Sequence, residues 1–236
     1  MAVNNEIGSI QPIEAISELL ADKPTISFHV DAVQALAKIP TEKYLTDRVD
    51  FATFSSHKFH GVRGVGFVYI KSGKKITPLL TGGGQEGDYR STTENVAGIA
   101  ATAKALRLAM EKLDIFTSKT RQMKAVIRQA LLDYPDIFVF SDEEDFAPHI
   151  LTFGIKGVRG EVIVHAFEDY DIFISTTSAC SSKAGKPAGT LIAMGVDKDK
   201  AQSAVRLSLD LENDMSQVEQ FLTKLKLIYN QTRKVR

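Results

Sequence analysis

The sequence predicts an α/β protein whose sheet is at least partly parallel, and three observations carry that expectation. Short apolar runs such as "TISFHV", "DFATF" and "GVGFVYI" alternate with stripes of apolar residues at helical spacing. Polar, glycine-punctuated stretches such as "SSHKFHGVRG" follow the ends of those runs. The second half of the chain repeats the alternation.

In chain order, Ile13, Ile16, Leu19 and Leu20 fall on one helical face behind Pro12, which suits a first helical turn. Pro24 ends that helix, and "TISFHVDAVQ" reads as a short buried strand whose C-terminal end carries Asp31 and Gln34. Strands follow at 50–56 and 65–71, and a further one in "KKITPLL". Ser91 and Glu94 have capping-box spacing ahead of a helix with the stripe Val96, Ile99, Ala103, Leu106, Met110 and Leu113. That helix, at 93–114, reads as a connector between a domain at 1–92 and a second domain at 115–236. In the second, a helix with Met123, Ile127, Ala130 and Leu131 leads to the strand "DIFVF". "HILTFGI" and "DIFIS" read as strands on either side of a helix at about 159–169. A short helix near 190, the strand "AVRLSL" and a final helix bearing Phe221, Leu225 and Ile228 complete it, the last capped by Ser216 and Glu219.

Composition excludes several classes of function. Lys plus Arg and Asp plus Glu both total 29 in 236 residues, which leaves no electrostatic footprint for nucleic acid or an anionic membrane. No apolar run approaches the ~20 residues of a membrane span, and no signal-peptide pattern opens the sequence. The single cysteine, Cys180, rules out an internal disulfide framework and fits a reducing cytoplasm.

The motifs differ in weight. "GGGQEG" at 82–87 matches a dinucleotide fingerprint only formally, because "DYRSTT" separates the glycines from the next helix. His57 and His60 have no third ligand at zinc spacing, so no metal is expected. His29 and His149 read as hydrogen-bonded histidines at strand ends. Asp31 lies where α/β sheets hold their ligands, although an aspartate in a strand–helix turn is also ordinary. Lys58 alone reads as a solvated lysine. An acid at one strand end and Ser-Ser-His-Lys at another together form a parts list for pyridoxal phosphate: a Schiff-base lysine, a carboxylate for the pyridine nitrogen and small donors for the phosphate. Cys180, in "STTSACSSKAGKPAG", is either an inert filler or a reactive thiol in a polar loop.

Taken together, "NNEIG" (4–8), "HVDAVQ" (29–34), "SSHKFHG" (55–61), "GGGQEGDYRSTTENV" (82–96), "SACSS" (178–182) and "VRLSL" (205–209) resemble the cysteine desulfurases. These are class V, fold-type I pyridoxal-phosphate enzymes, and the "SACSS" loop is similar to that of the branch serving iron–sulfur assembly and tRNA thiolation. The resemblance implies that Asn5 and Gln34 bond the cofactor's phenolic oxygen, Asp31 the pyridinium nitrogen, and Ser55 and His57 the phosphate. It further implies that Lys58 attaches the cofactor, that Thr93 reaches the phosphate from the other subunit of a homodimer, and that Arg206 holds the substrate carboxylate. Cys180 would accept sulfur from L-cysteine and pass it to an acceptor protein.

The sequence departs from the family at Val62-Arg63, where a Pro-Lys pair is usual, and at Thr92, where glycine is usual. The family also begins well before "VNNEIG", with the first strands, a ring-stacking histidine and a phosphate-binding threonine. The expected architecture is therefore the C-terminal part of a fold-type I transferase: a partial large-domain sheet plus a small α/β domain. Two alternatives to a desulfurase stand beside it: a catalytically incompetent fragment that binds partners or dimerises, and another class V enzyme such as an aminotransferase or selenocysteine lyase.

Overall fold

In the computed structural model, which describes residues 1–141, 144–177 and 189–234, the chain is a mixed α/β protein of two compact units. The first comprises Met1–Ala2 and Gln11–Leu113; the second comprises Val3–Ile10 and the chain from Asp114 onward. Among the described residues no helix is long and apolar enough to cross a membrane.

The first unit holds a sheet in the order β1 (His29–Asp31), β2 (Phe51–Ser55), β3 (Gly66–Ile70). β1 and β2 are parallel, with His29 opposite Phe51 and Asp31 opposite Thr53. The polar residues that end both strands therefore emerge at one edge of the sheet. β3 returns antiparallel to β2, placing Gly66 opposite Ser55. A Cβ at Gly66 would lie 2.6 Å from the Phe54 carbonyl oxygen, so this pairing requires glycine.

The opposite edge is tied down by Asp50. Its buried carboxylate accepts the Phe28 N–H at 2.8 Å, pairs with Arg48 at 2.9 Å and meets Lys74 at 3.1 Å. Arg48 also donates to the carbonyls of Leu20, Lys23 and Ile26. This cluster fixes the start of β1 against the start of β2, and hence the register of their far ends. Burial pushes the Asp50 carboxyl up, but the Phe28 N–H, Lys74 and Arg48 outweigh it and hold the group below the ordinary carboxylate range. A depressed native value means that the stabilisation is present above the unfolded-state value, about pH 4, and is lost as pH falls through the native one. Asp50→Asn, which leaves Arg48 and Lys74 without their charge partner, is expected to destabilise the unit by about 3–5 kcal/mol at pH 7. Urea unfolding should show the gap to the unsubstituted protein narrowing as the pH is lowered below 4; a gap independent of pH would contradict the assignment.

Several sequence expectations are corrected in this unit. α1 (Ile13–Leu19) turns Ile13 and Ser17 inward and leaves Leu19 exposed. Ser17 Oγ shares a hydrogen bond with Thr46 Oγ1, so a serine takes a place on the buried face. "KKITPLL" forms no strand; Pro78 lacks the N–H a ladder needs. α2 (Val96–Glu111) is capped by Asn95, which accepts the Gly98 N–H at 3.0 Å, rather than by Ser91 and Glu94. Most of its apolar stripe faces outward, with Val96, Ile99, Ala103 and Met110 exposed and Leu106 half-buried, and its buried residues are Gly98 and Thr102. β3 is also largely exposed: Phe67, Val68 and Tyr69 all meet solvent, and among the described residues the strand pairs only with β2.

The second unit is a four-stranded antiparallel sheet in the order β4 (Ile137–Val139), β5 (Ile150–Ile155), β7 (Ala204–Ser208), β6 (Ser175–Thr176). β5 is buried along its whole length because both faces of the sheet are covered. One core joins Leu151, Phe153, Val205 and Leu207 to α3 (Leu113–Leu132), α4 (Gly160–Glu168) and α7 (Met215–Lys234). Phe221 stacks on Phe167 with centroids 4.9 Å apart and meets Phe153 edge-on at 6.2 Å. A second cluster joins Ile7 and Ala204 to α5 (Gly189–Ala193) and α6 (Lys198–Gln202).

Two further expectations give way here. "DIFIS" contributes only its last residue to β6, because Asp171 is left-handed at φ 57° and the Ile172 N–H returns to Phe167 O as a helix end. The capping box of α7 is Asp214 and Gln217 instead of Ser216 and Glu219. Asp214 Oδ1 accepts the Gln217 N–H at 3.0 Å, and Gln217 Oε1 accepts the Asp214 N–H at 3.2 Å.

Candidate functional site

The lysine turn grows out of the end of β2. Ser56–Phe59 forms one 3-10 turn, closed by His60 in the left-handed region at φ 64°. Its ends are fixed by the Ser56 N–H on Val65 O and the Gly61 N–H on Ser56 O, both 3.0 Å. Ser56 and Phe59 are buried, which leaves His57 exposed and Lys58 half-buried. Among the described residues Lys58, half-buried as a residue, forms no ion pair and no hydrogen bond.

At the end of the neighbouring parallel strand, Asp31 Oδ1 accepts the Val33 N–H at 3.0 Å, and the Ala32 N–H continues the ladder to Thr53 O at 3.0 Å. Gln34 is half-buried in the turn that follows, and Ser55, also half-buried, does not cap the lysine turn with its side chain. Thr93 is exposed in the segment before α2. His29 Nε2 lies 3.2 Å from Thr53 Oγ1, a hydrogen-bonded histidine at a strand end. Asp31, Gln34, Ser55, His57 and Lys58 thus all follow from two adjacent parallel strands ending together. A half-buried lysine without a counter-ion and a carboxylate with an acceptor to spare fit the attachment and protonation needs of pyridoxal phosphate.

The second unit presents a separate set. Asn4 Oδ1 accepts the Glu6 and Ile7 N–H groups at 2.8 and 3.0 Å, folding the chain tightly around Asn5. Arg206, in β7 opposite Thr152 and Ser175, donates from Nη1 to Asn5 O at 2.6 Å. Thr152 Oγ1 donates to Glu6 O at 2.7 Å, Thr190 N–H donates to Glu6 Oε2 at 3.1 Å, and Asn4 Nδ2 lies 3.3 Å from Thr190 Oγ1. Asn5 and Arg206, far apart in sequence, are brought together. Cys180 lies outside the described residues.

Sequence reasoning missed Asn4, Glu6 and Thr190, which hold Asn5 in place, and Thr102, which meets the lysine turn. The Asn-Asn-Glu run was a usable turn signal; Thr102 gave none, because a threonine inside a helical stripe reads as filler.

Residues 1–221 match the family model described as aminotransferase class-V, and the chain belongs to that family. Within it, the chain is 50% identical over 236 residues to a NifS/IcsS protein homolog of Lactobacillus delbrueckii subsp. bulgaricus, covering 100% of this chain and 61% of the relative. It is 37% identical over 239 residues to the cysteine desulfurase IscS of Clostridium botulinum, covering 100% of this chain and 59% of that protein. A solved structure titled NifS-like protein superposes with a TM-score of 0.87 at 36% identity, over 98% of this chain and 60% of the other. The chain therefore spans about three-fifths of the length of the relatives it matches. The resemblance carried by the motifs is borne out by these relatives, and the fold by the solved NifS-like structure.

Proposed function

We propose that the chain is part of a pyridoxal-phosphate-dependent cysteine desulfurase that converts L-cysteine to L-alanine and supplies sulfur for iron–sulfur clusters or tRNA thiolation. The observation that carries this reading is Lys58: half-buried, without a counter-ion among the described residues, at the end of β2 beside the parallel strand that ends in Asp31. The names of the similar relatives support it. When bound, pyridoxal phosphate supplies an electron sink for the carbon that loses its proton.

The chain's residues do the rest. Lys58 Nζ would be the group that holds the cofactor and that takes the Cα proton. The Asp31 carboxylate would keep a proton on the ring nitrogen, Asn5 and Gln34 would hold the phenolic oxygen, and Ser55, His57 and a partner subunit's residue equivalent to Thr93 would hold the phosphate. Arg206 would hold the substrate carboxylate, with its Nη1 donating to Asn5 O. The Cys180 thiolate attacks the substrate sulfur: the carbon–sulfur bond breaks, an S–S bond forms, and the carbon is protonated. One L-cysteine and one thiol thus give one L-alanine and one persulfide, with no external oxidant. A cytoplasmic homodimer and a protein sulfur acceptor complete the proposal.

The exposed β3 and the three-fifths span favour a second reading, in which this stretch alone holds the cofactor poorly and serves in dimerisation or partner binding. One experiment separates the two. L-cysteine and a thiol reductant are supplied, with pyridoxal phosphate, to this chain and to a chimera completed with the part of the Lactobacillus relative it lacks. Equimolar alanine and sulfide from both support the first reading. Turnover from the chimera alone supports the second, and pyruvate with ammonia in place of alanine overturns desulfuration of this kind.

A further inference from the structure

The lysine turn is held from behind by a helix residue to which the proposed chemistry gives no role. Thr102 of α2 is buried, and its Oγ1 donates to Gly98 O at 2.7 Å, one helical turn earlier. Ser56 Oγ lies 2.9 Å from the same Oγ1 and is completely buried. Thr102 has one hydroxyl proton and spends it on Gly98, so Ser56 must donate to Thr102. The order is fixed: Ser56 to Thr102 to the helix backbone.

Glycines make room for this chain of hydroxyls. A Cβ at Gly61 would lie 1.9 Å from Ser56 Oγ, and a Cβ at Gly98 would lie 2.8 Å from Val65 Cγ2. Small residues therefore line both sides of the contact between α2 and the loop from Ser56 to Val65. This also explains why the apolar stripe of α2 faces outward: the helix presents Gly98 and Thr102 to the turn instead.

We propose that Thr102 and Ser56 are positioning residues for Lys58, a two-hydroxyl tether that locks the lysine turn onto α2 and keeps the Lys58 side chain half-buried. The tether acts through the backbone of Ser56, adjacent to His57 and two residues before Lys58, and touches neither substrate nor cofactor. Its importance to catalysis rests on the reading of Lys58 given above; its mechanical role does not.

The two partners are unequal, and that asymmetry is testable. Ser56→Ala leaves Thr102 satisfied by Gly98, so no buried polar atom is orphaned. Thr102→Val removes the acceptor and strands the buried Ser56 hydroxyl. Thr102→Ser keeps the hydroxyl and should restore the tether. The measurement is competitive labelling of lysines by acetic anhydride across a pH series, with each site quantified by peptide mass. Exposed Lys104 of α2 and Lys112 at its C-terminal cap serve as internal references.

The expected result is faster labelling of Lys58, by about fivefold in Ser56→Ala and about tenfold or more in Thr102→Val. The reference lysines should stay at unsubstituted rates, and Thr102→Ser should return Lys58 to its original profile. An unchanged Lys58 profile in folded Ser56→Ala overturns the proposal even if Thr102→Val does not fold. Equal acceleration of all three lysines also overturns it, because that is general loosening. In parallel, unsubstituted protein is treated with pyridoxal phosphate and borohydride. If Lys58 labelling responds to the tether variants but no adduct maps to Lys58, the tether stands and the cofactor reading of Lys58 falls.

Discussion

Replacing Lys58 by alanine is expected to abolish covalent capture of pyridoxal phosphate and to lower alanine formation by about 10²- to 10⁴-fold from lost proton transfer alone. The assignment rests on the local geometry more than on charge. Lys58 is the one lysine in the turn at the end of β2, and that turn is fixed at both ends by backbone hydrogen bonds. Arg48 and Lys74, by contrast, are paired with Asp50 at the opposite end of β2. Lys58→Arg provides the control, since arginine keeps the charge but cannot serve as the nucleophile or accept a proton at neutral pH. Both variants should fail to trap the cofactor with borohydride, and peptide mapping of the reduced wild-type adduct should return Lys58. An adduct on another lysine in the untouched protein would remove Lys58 from its role.

That Asp31 and Lys58 follow the ends of strands was legible before the fold. Asp31 and Lys58 both follow apolar runs of strand length, and polar residues after a buried strand are natural occupants of a ligand-binding sheet edge. What could not be read was which other residues pack against them. The periodicity of α2 correctly marks a helix but misassigns its inner face, because the lysine turn is met by Gly98 and Thr102, and Val96, Ile99 and Met110 are left exposed. Periodicity reports which residues could be buried together; it does not report whether a partner surface has room for them. Asp50 has the same character. In the sequence it is one of many carboxylates before a strand, and only the return of Arg48 and Lys74 makes it a buried hub.

The capping errors have a local cause. Ser91 with Glu94, and Ser216 with Glu219, have the right spacing, but each helix uses a neighbouring side chain that also fits: Asn95 in one and Asp214 in the other. Where several cap-competent residues adjoin, spacing narrows the start to a few positions, and tertiary packing chooses among them. The placement of Val3–Ile10 in the second unit was beyond local pattern altogether. Its hydrogen bonds, from Arg206 to Asn5 O and from Thr152 to Glu6 O, link residues about 150 to 200 positions apart, and local periodicity cannot see such pairs.

Cys180→Ser is expected to preserve cofactor trapping at Lys58 and the urea unfolding midpoint, while alanine and sulfide formation fall to background. Serine keeps nearly the size of cysteine and its capacity to hydrogen-bond, but an alcohol near neutral pH is not ionised and is a poor nucleophile toward sulfur. The prediction therefore isolates sulfur transfer from everything that precedes it. With one equivalent of L-cysteine, unsubstituted protein should gain the mass of one sulfur atom on the peptide carrying Cys180, and dithiothreitol should release it as sulfide. The serine variant should bind L-cysteine without that gain. Because Cys180 is the only cysteine in the chain, no second thiol can take over the role and mask the result. Comparable desulfuration by the serine variant would make Cys180 a structural residue and move the reaction toward a class V chemistry that needs no protein thiol. Alanine formation without a persulfide on unsubstituted protein would have the same consequence, since the carbon–sulfur bond would then break without Cys180 as acceptor.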